Sequence, residues 1–486
     1  MRRLLRFVIA LGLAIAVPRA AGAADGDLDT TFAGGSGVLR VPYSVNLTRY
    51  TTAANALAIQ NDGRIVASWV LAPCCAFGGF YRSLADGSGP DSGFGFSGFA
   101  FLTGSYSSQT RVKLDANQHL VVSGNCHANG DFGHPCLWRL DASGFPDSNF
   151  GTGGVVELPT TTHDTAPFDV VVDFDFAADG SIYAIVDAYQ AQLPYAFATL
   201  GVLFKIDASG NIVGAGNGAP IGVPTGFQLG LLRRIIVRDN LLTIGAMAYS
   251  NTSSSYDVLV MRFDGNGSID NGFGSSGVAT FGFDIGGMDK DDLSAMLIQP
   301  DGKLLLGGTA TDGAQTPQVR MGLARMRSDG SGLDGGDPGF GAPSGKFTFT
   351  AYYDGNTGDR SQDTLTDLAL QSDLKIVVVG WSDKSNVPGA NPNADNLSSA
   401  VFRFDPYGVD DATFNAGVHN LALGFMSDSA RVDHSLAVGL QGGRIVVGGY
   451  AGAGVDANDI DLVIARLQSD LILTNGFDLE PAPPPF

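Results

Sequence analysis

Short runs of alternating apolar and polar residues follow one another along the chain, each closed by a cluster of glycine, aspartate, asparagine or proline. A period of two is the pattern of a half-buried β-strand, and the closing residues are those that tight turns require. Outside the N-terminal segment no apolar set recurs at i, i+3, i+4 and i+7, so the pattern predicts strands and no helices. One run, rich in valine and glycine, comes seven times. It begins as Arg64-Ile65-Val66-Ala67, His119-Leu120-Val121-Val122 and Ser181-Ile182-Tyr183-Ala184, then Leu241-Leu242-Thr243-Ile244 and Lys303-Leu304-Leu305-Leu306. The last two copies are Lys375-Ile376-Val377-Val378 and Arg444-Ile445-Val446-Val447. Pairs such as Asp62-Gly63, Asp179-Gly180 and Asp301-Gly302 precede several copies and supply the positive φ of a tight hairpin.

A second run gives the same count. It carries one basic residue near its end: Arg82, Arg139, Lys205, Arg262, Arg325, Arg403 and Arg466. An Asp-x-x-Phe turn follows as Asp91…Phe94, Asp147…Phe150, Asp270…Phe273, Asp337…Phe340 and Asp411…Phe414. The third copy lacks the turn, and its basic residue is the lysine of the set. The chain ends complement one another. Asp29…Phe32 and Val38-Leu39-Arg40-Val41 read as a turn and a fourth strand with no first three before them. The last copy has three strands, a worn turn at Thr474–Phe477, and then the prolines of 481–485.

The reading is therefore an all-β, seven-bladed β-propeller with four-stranded blades, closed by the N-terminal strand pairing into the last blade. A closed ring protects its inner strand edges, whereas an open array needs polar caps, and none is seen. The expected organisation is a signal peptide over 1–23, a single propeller domain over 24–474 and a flexible tail over 475–486.

Gln299-Pro300-Asp301-Gly302-Lys303-Leu304 and Asp270-Asn271-Gly272-Phe273-Gly274 resemble the motifs of bacterial delta-60 repeat proteins, and the resemblance runs over nearly all of the mature chain. It implies export and a propeller-like repeat fold. It implies no established activity and transfers no catalytic residue.

The first residues change the picture of charge. Arg2, Arg3 and Arg6, the apolar stretch Phe7–Val17 and Ala21-Gly22-Ala23 have the layout of a secretory signal, too short to span a bilayer. Its removal takes four arginines, so 29 basic residues become 25 against 49 acids, a net charge of −24. Such a surface repels phosphate backbones and anionic lipids, which disfavours nucleic-acid and membrane-surface binding. No later segment is long enough to span a membrane, and the expected state is a monomer. In an exported chain four cysteines suggest disulfides. Cys126 and Cys136 flank a short segment between two apolar runs and are read as a disulfide; the adjacent Cys74 and Cys75 remain open.

Candidate chemistry is sparse. An arginine followed eight or nine residues later by an aspartate can form a bidentate pair, read as Arg82–Asp91, Arg139–Asp147, Arg262–Asp270 and Arg403–Asp411. The competing reading is a ring of ligand-binding arginines. Cys126-His127…His134-Pro135-Cys136 has residue types that zinc uses, but the disulfide reading is preferred. Asp264-Gly265-Asn266-Gly267-Ser268-Ile269-Asp270 has oxygens at alternate positions; calcium is kept as a candidate and a plain turn preferred, because the EF-hand pattern is incomplete. Asp289, Asp291 and Asp292 are read as a solvated loop. The six histidines are scattered, and His163 and His434 are read as loop residues. There is no Gly-x-Ser-x-Gly elbow. The sequence assigns no catalytic, cofactor-binding or metal residue. The expected function is an extracellular or periplasmic scaffold binding a protein, glycan or cell-surface ligand through loops such as 355–363 and 382–396. The alternative is a secreted carbohydrate-active hydrolase or lyase with a central-channel site, which inward-facing acids or histidines at one mouth would favour.

Overall fold

The computed structural model describes residues 25–45, 48–50, 54–70, 78–102, 111–126, 134–159, 169–189, 199–214, 218–223, 226–251, 254–286, 290–312, 318–351, 362–383, 396–414, 431–452 and 460–469. Residues 1–23 of the expected signal segment, Cys74 and Cys75, His163, Asp289, residues 384–395 and 415–430, and the expected tail over 475–486 lie outside these residues, as does most of 355–363.

The fold is all-β and organised by the repeat. In the first repeat Leu57–Ile59, Ile65–Val70, Gly78–Ser83 and Phe99–Phe101 form one antiparallel sheet in chain order. The second repeats this with Arg111–Leu114, Leu120–Cys126, His134–Leu140 and Val155–Glu157. In the third, the outer position beside Thr199–Ile206 is shared by two short strands, Ile212–Val213 and Ala219–Pro220, where the sequence lost its turn. The fourth and fifth are complete and end on Val278–Phe281 and Lys346–Phe349. The sixth shows Gln362–Leu370, Ile376–Asp383 and Asn396–Phe404. The seventh shows Arg431–Gln441, Arg444–Gly452 and Ile460–Leu467. The N-terminal strand Val38–Val41 lies antiparallel beside Ile460–Leu467, with Val38 opposite Ala465 and Leu39 opposite Ile464. Parallel contacts such as Tyr256 beside Lys290 and Val319 beside Gln362 join the later repeats into one 15-stranded sheet path.

Alternation along each strand buries one set of side chains on either face, so the apolar residues collect between neighbouring sheets. Val66, Phe80 and Phe94 of the first repeat pack with Leu120, Val122 and Trp138 of the second. Comparable clusters lie between each later consecutive pair. A further one joins Phe32, Val41, Val446, Leu462 and Ile464 to Ile65, Trp69 and Tyr81, so last-repeat and N-terminal residues pack on the first repeat.

A recurring latch crosses the same boundaries. The arginine of the third strand lies over the phenylalanine of its own turn: Arg82 on Phe94, Arg139 on Phe150, Arg262 on Phe273, Arg325 on Phe340, Arg403 on Phe414 and Arg466 on Phe32, at 4.4–4.9 Å. Its Nη1 donates to a backbone carbonyl in the next repeat's hairpin, as in Arg82 to Ala142 (2.6 Å), Arg262 to Ser328 (2.9 Å) and Arg466 to Ala85 (3.0 Å). The receiving hairpin must come close. At Gly87, with φ +66°, a Cβ would stand 2.4 Å from the Phe32 ring, so only glycine fits. In the third repeat Lys205 replaces the arginine, and the Tyr183 hydroxyl donates instead to Gly265 of the next hairpin at 2.6 Å. A different side chain thus fills the same bond.

Candidate functional site

The first strands of the seven repeats face one another around a cavity of about 840 Å³. Their registers identify one equivalent position in each. Arg111 pairs with Ser123, Asp173 with Ile185, Arg234 with Gly245, Ala295 with Gly307, Asp367 with Val379 and Ala437 with Gly448. In the first repeat the position is Ala56, whose carbonyl accepts the Ser68 N–H. In repeats three to seven a register shift immediately precedes this residue, and the skipped residues Val172, Arg233, Ser294, Thr366 and Leu436 line a second cavity of about 500 Å³. A bulge adds a residue without a ladder partner and re-aims its side chain. The two cavities share Asn55, Arg111 and Arg234.

Around this tier the residues read Ala56, Arg111, Asp173, Arg234, Ala295, Asp367, Ala437, so its charge is lopsided. Lys113, two residues beyond Arg111, bridges Asp173 at 3.3 Å and Asp175 at 3.4 Å, and Arg111 stands 4.0 Å from Asp173. The carboxylates also tie neighbouring repeats. Asp173 accepts the N–H groups of Phe174 and Ile235, Asp175 that of Val237, and Asp367 those of Leu368 and Val438. Arg234 donates to the Arg233 carbonyl at 2.9 Å, and among the described residues no carboxylate lies within ion-pair distance of it. Asp367 likewise has no cation within that distance among the described residues, and the buried Nε of Arg111 has no hydrogen-bond acceptor there.

Electrostatics follow from this geometry. Burial pushes the Asp175 carboxyl above its ordinary value, opposed by the Lys113 charge and the Val237 N–H. Burial likewise raises Asp367, opposed by Arg111 across the channel and by the Val438 and Leu368 N–H groups, while Asp173 adds to the rise. Lys113 is pulled down by burial but raised overall by Asp173 and Asp175. The cavity therefore holds two carboxyls that resist ionisation, Asp175 beside Lys113 and Asp367 within reach of the Arg111 charge.

A second constellation sits on the sixth and seventh repeats. The Trp381 ring stacks on His434 with centroids 4.5 Å apart and planes 3° apart. Tyr450 Oη lies 2.5 Å from His434 Nδ1. Burial lowers His434 to about 4 and raises Tyr450 to about 12, so the imidazole is neutral at neutral pH. His434 is therefore a half-buried strand residue, not the loop residue expected. The acidic cluster differs too. Asp291 is fully buried on the strand Lys290–Ile298, and Asp292 is paired with Arg233 at 2.7 Å.

The sequence-predicted pairs lie at contact distance: Arg82–Asp91 at 2.9 Å, Arg139–Asp147 at 2.8 Å, Arg262–Asp270 at 2.7 Å and Arg403–Asp411 at 2.9 Å. In the fifth repeat the partner of Arg325 is Asp334 at 2.9 Å, not Asp337 of the expected turn, because an insertion separates Asp334 from Phe340. In the seventh, Asp29 takes the position at 2.7 Å from Arg466, a place the sequence offered to Thr474–Phe477, which lies outside the described residues. Cys126 and Cys136 form a disulfide between adjacent strands, Cα to Cα 5.7 Å. Asp264 accepts the N–H groups of Asn266 and Ser268, the geometry of a turn. Among the described residues no three His, Cys, Asp or Glu side chains stand together as metal ligands would. No helix of the described residues is long and apolar enough to cross a membrane.

Residues 242–273 and 299–332 match the family described as "Domain of unknown function (DUF5122) beta-propeller", so the repeats are propeller-like. No curated protein matches the chain. Among solved structures it is similar to a protein of unknown function from Dyadobacter fermentans, at 11% identity and TM-score 0.40, over 89% of this chain and 100% of that one. It is similar to the Penicillium chrysogenum alpha-L-arabinanase complexed with arabinobiose, at 10% identity and TM-score 0.38, over 90% and 99%. It is also similar to PL25 ulvan lyase, a polysaccharide lyase, at 11% identity and TM-score 0.43, over 88% and 96%. Likeness this remote transfers no activity.

Proposed function

We propose that this chain is an exported binding protein of the delta-60 repeat type, a closed seven-bladed propeller spanning 24–474 whose ligand seats in the central channel. The observation that carries the reading is the lopsided tier. Propeller blades ordinarily surround a central channel, so the opening alone says little; what distinguishes this one is that Arg111, Arg234 and Asp367 stand around it among apolar side chains. Concave, largely apolar sites with a few convergent polar groups are where small ligands bind. The Cys126–Cys136 disulfide supports an oxidising compartment. The test is native mass spectrometry of the mature chain against a metabolite library and released glycans, with Ala437→Trp, at the tier position of the seventh repeat, to fill the cavity. A bound small molecule that Ala437→Trp excludes supports the reading. Ligands that bind the filled channel equally well overturn it.

A second reading, a carbohydrate-active hydrolase or lyase, is favoured by the two inward-facing carboxyls that burial raises, since a general acid must hold its proton near working pH. Release of reducing ends or of unsaturated products from polysaccharides, abolished in both Asp175→Asn and Asp367→Asn, would establish it; no product from a broad polysaccharide panel would remove it.

A further inference from the structure

We infer that the channel ligand is a small zwitterion, its cationic group held by Asp367 and its anionic group by Arg234 and Arg111. The inference rests on the channel-binding reading and adds the ligand class. It comes from comparing one position around the ring. Arg111, Asp173 and Arg234 occupy it in consecutive repeats and form one charged wall. Asp367 occupies it alone, between Ala295 and Ala437 of the adjoining repeats. Ala437 lines the cavity beside that carboxylate while Ala295 is turned into the core, and the cavity reaches both walls.

Charge completes the argument. Asp173 and Asp175 already have Lys113. Asp367 has only backbone N–H donors, and Arg234 only a backbone carbonyl. Arg111 Nε is buried without a hydrogen-bond acceptor among the described residues, its nearest carboxylate being Asp173 at 4.0 Å. Asp367 and Arg234 have no opposite charge within ion-pair distance among the described residues, and a ligand that brings the missing charge offsets part of that cost. An anion alone would satisfy the arginines and leave Asp367 uncompensated; a cation alone would do the reverse. One molecule with both charges satisfies both walls, and the apolar flanks Ile235 and Met296 suit a short hydrocarbon between them.

The experiment is isothermal titration calorimetry of the mature chain with β-alanine, 4-aminobutyrate, 5-aminopentanoate and 6-aminohexanoate, against pentanoate and pentylamine. At least one ω-amino acid is expected to bind about tenfold to a hundredfold more tightly than either single-charge analogue, as charge-assisted contacts imply. Asp367→Asn is expected to abolish the preference over pentanoate, and Arg234→Met the preference over pentylamine, with circular dichroism confirming that each variant folds. Equal binding of pentanoate or pentylamine, or an unchanged preference in Asp367→Asn, overturns the inference. If no ω-amino acid binds while Ala437→Trp still excludes a ligand of another class, the zwitterion fails and the channel reading stands. If ω-amino acids bind the Ala437→Trp variant as well as the parent, both fail.

Discussion

Replacing Asp29 with alanine tests how the two ends of the chain are held. The Asp29 carboxylate is fully buried, 2.7 Å from Arg466 and 2.8 Å from Arg444, and it accepts the Thr31 hydroxyl and N–H. Arg466 is nearly as buried and has Phe32 beneath it. Removing the carboxylate leaves two guanidinium groups without their counter-charge at a buried site, a change that costs about 3–5 kcal/mol. The equivalent Asp270 beside Arg262 joins no chain ends, and both side chains are about one-fifth exposed, 23% and 18%; its loss should cost only about 1 kcal/mol. Urea unfolding followed by circular dichroism should therefore place Asp29→Ala at least about 2 kcal/mol below Asp270→Ala. The pH dependence has a fixed sign. Burial opposes ionisation of Asp29, but the Thr31 bonds and the Arg466 and Arg444 charges outweigh it and hold its pKa below the ordinary 3.8. A lowered carboxyl contributes stability that is full above 3.8 and is lost as pH falls through the folded value. The gap between parent and Asp29→Ala should stay constant near neutrality and narrow below pH 3.8. Equal costs for the two alanine variants, or a gap that does not narrow in acid, would refute the view that the N-terminal turn locks onto the last repeat.

Tyr183→Phe removes the hydroxyl that bonds Gly265 and should cost about 1–1.5 kcal/mol in the same unfolding assay, while adding Lys205→Arg to that variant should restore part of it. Reducing the Cys126–Cys136 bridge, which closes a loop of 10 residues, should lower stability by about 3 kcal/mol, and a thiol reagent should find neither cysteine reactive before reduction. Asp175 behaves oppositely to Asp29 because burial raises its pKa, so the folded state binds a proton more readily than the unfolded one. The parent should therefore gain stability relative to Asp175→Asn as pH falls from neutrality toward 3.8; a parent that loses ground over that range would count against a carboxyl whose burial outweighs its Lys113 partner.

The repeat was legible because its signals are local. A run such as Lys303–Gly307 has to alternate to be half-buried, and the arginine and aspartate eight or nine residues apart must face across one turn. The N-terminal strand could be placed by elimination, since Val38–Val41 had no neighbours of its own. What escaped was set by insertion or by depth. Asp337 has the right spacing to Phe340, yet Asp334 carries the pair, because an inserted loop bulges between the aspartate and the phenylalanine. Asp291 looked solvated among neighbouring acids, but strand alternation turns it inward and Asp292 toward Arg233. The channel tier was hidden for a different reason. Arg111, Asp173, Arg234 and Asp367 carry no common motif, and the bulge one residue before Asp173, Arg234 and Asp367, invisible in composition, is what brings those three to the level of Arg111.

The two layers of the repeat differ because they face different demands. At each boundary the latch performs the same task, so the arginine, its aspartate, the phenylalanine beneath and the glycine opposite recur, and where the third repeat lost the arginine another donor fills the bond. The inner tier has no such uniform task. Seven identical charges facing one opening would repel one another strongly at low dielectric. Seven apolar residues would satisfy packing with no need for the hydrogen bonds that Asp173 and Asp367 accept from neighbouring repeats. An arrangement with two arginines and two aspartates broken by three alanines is explained by neither demand alone. It leaves Asp367 apart from the wall of Arg111, Asp173 and Arg234, with room between them, which gives the cavity a direction that the repeated latch around it lacks. A ligand with two unlike ends can use such a direction, and a uniform pore cannot supply it.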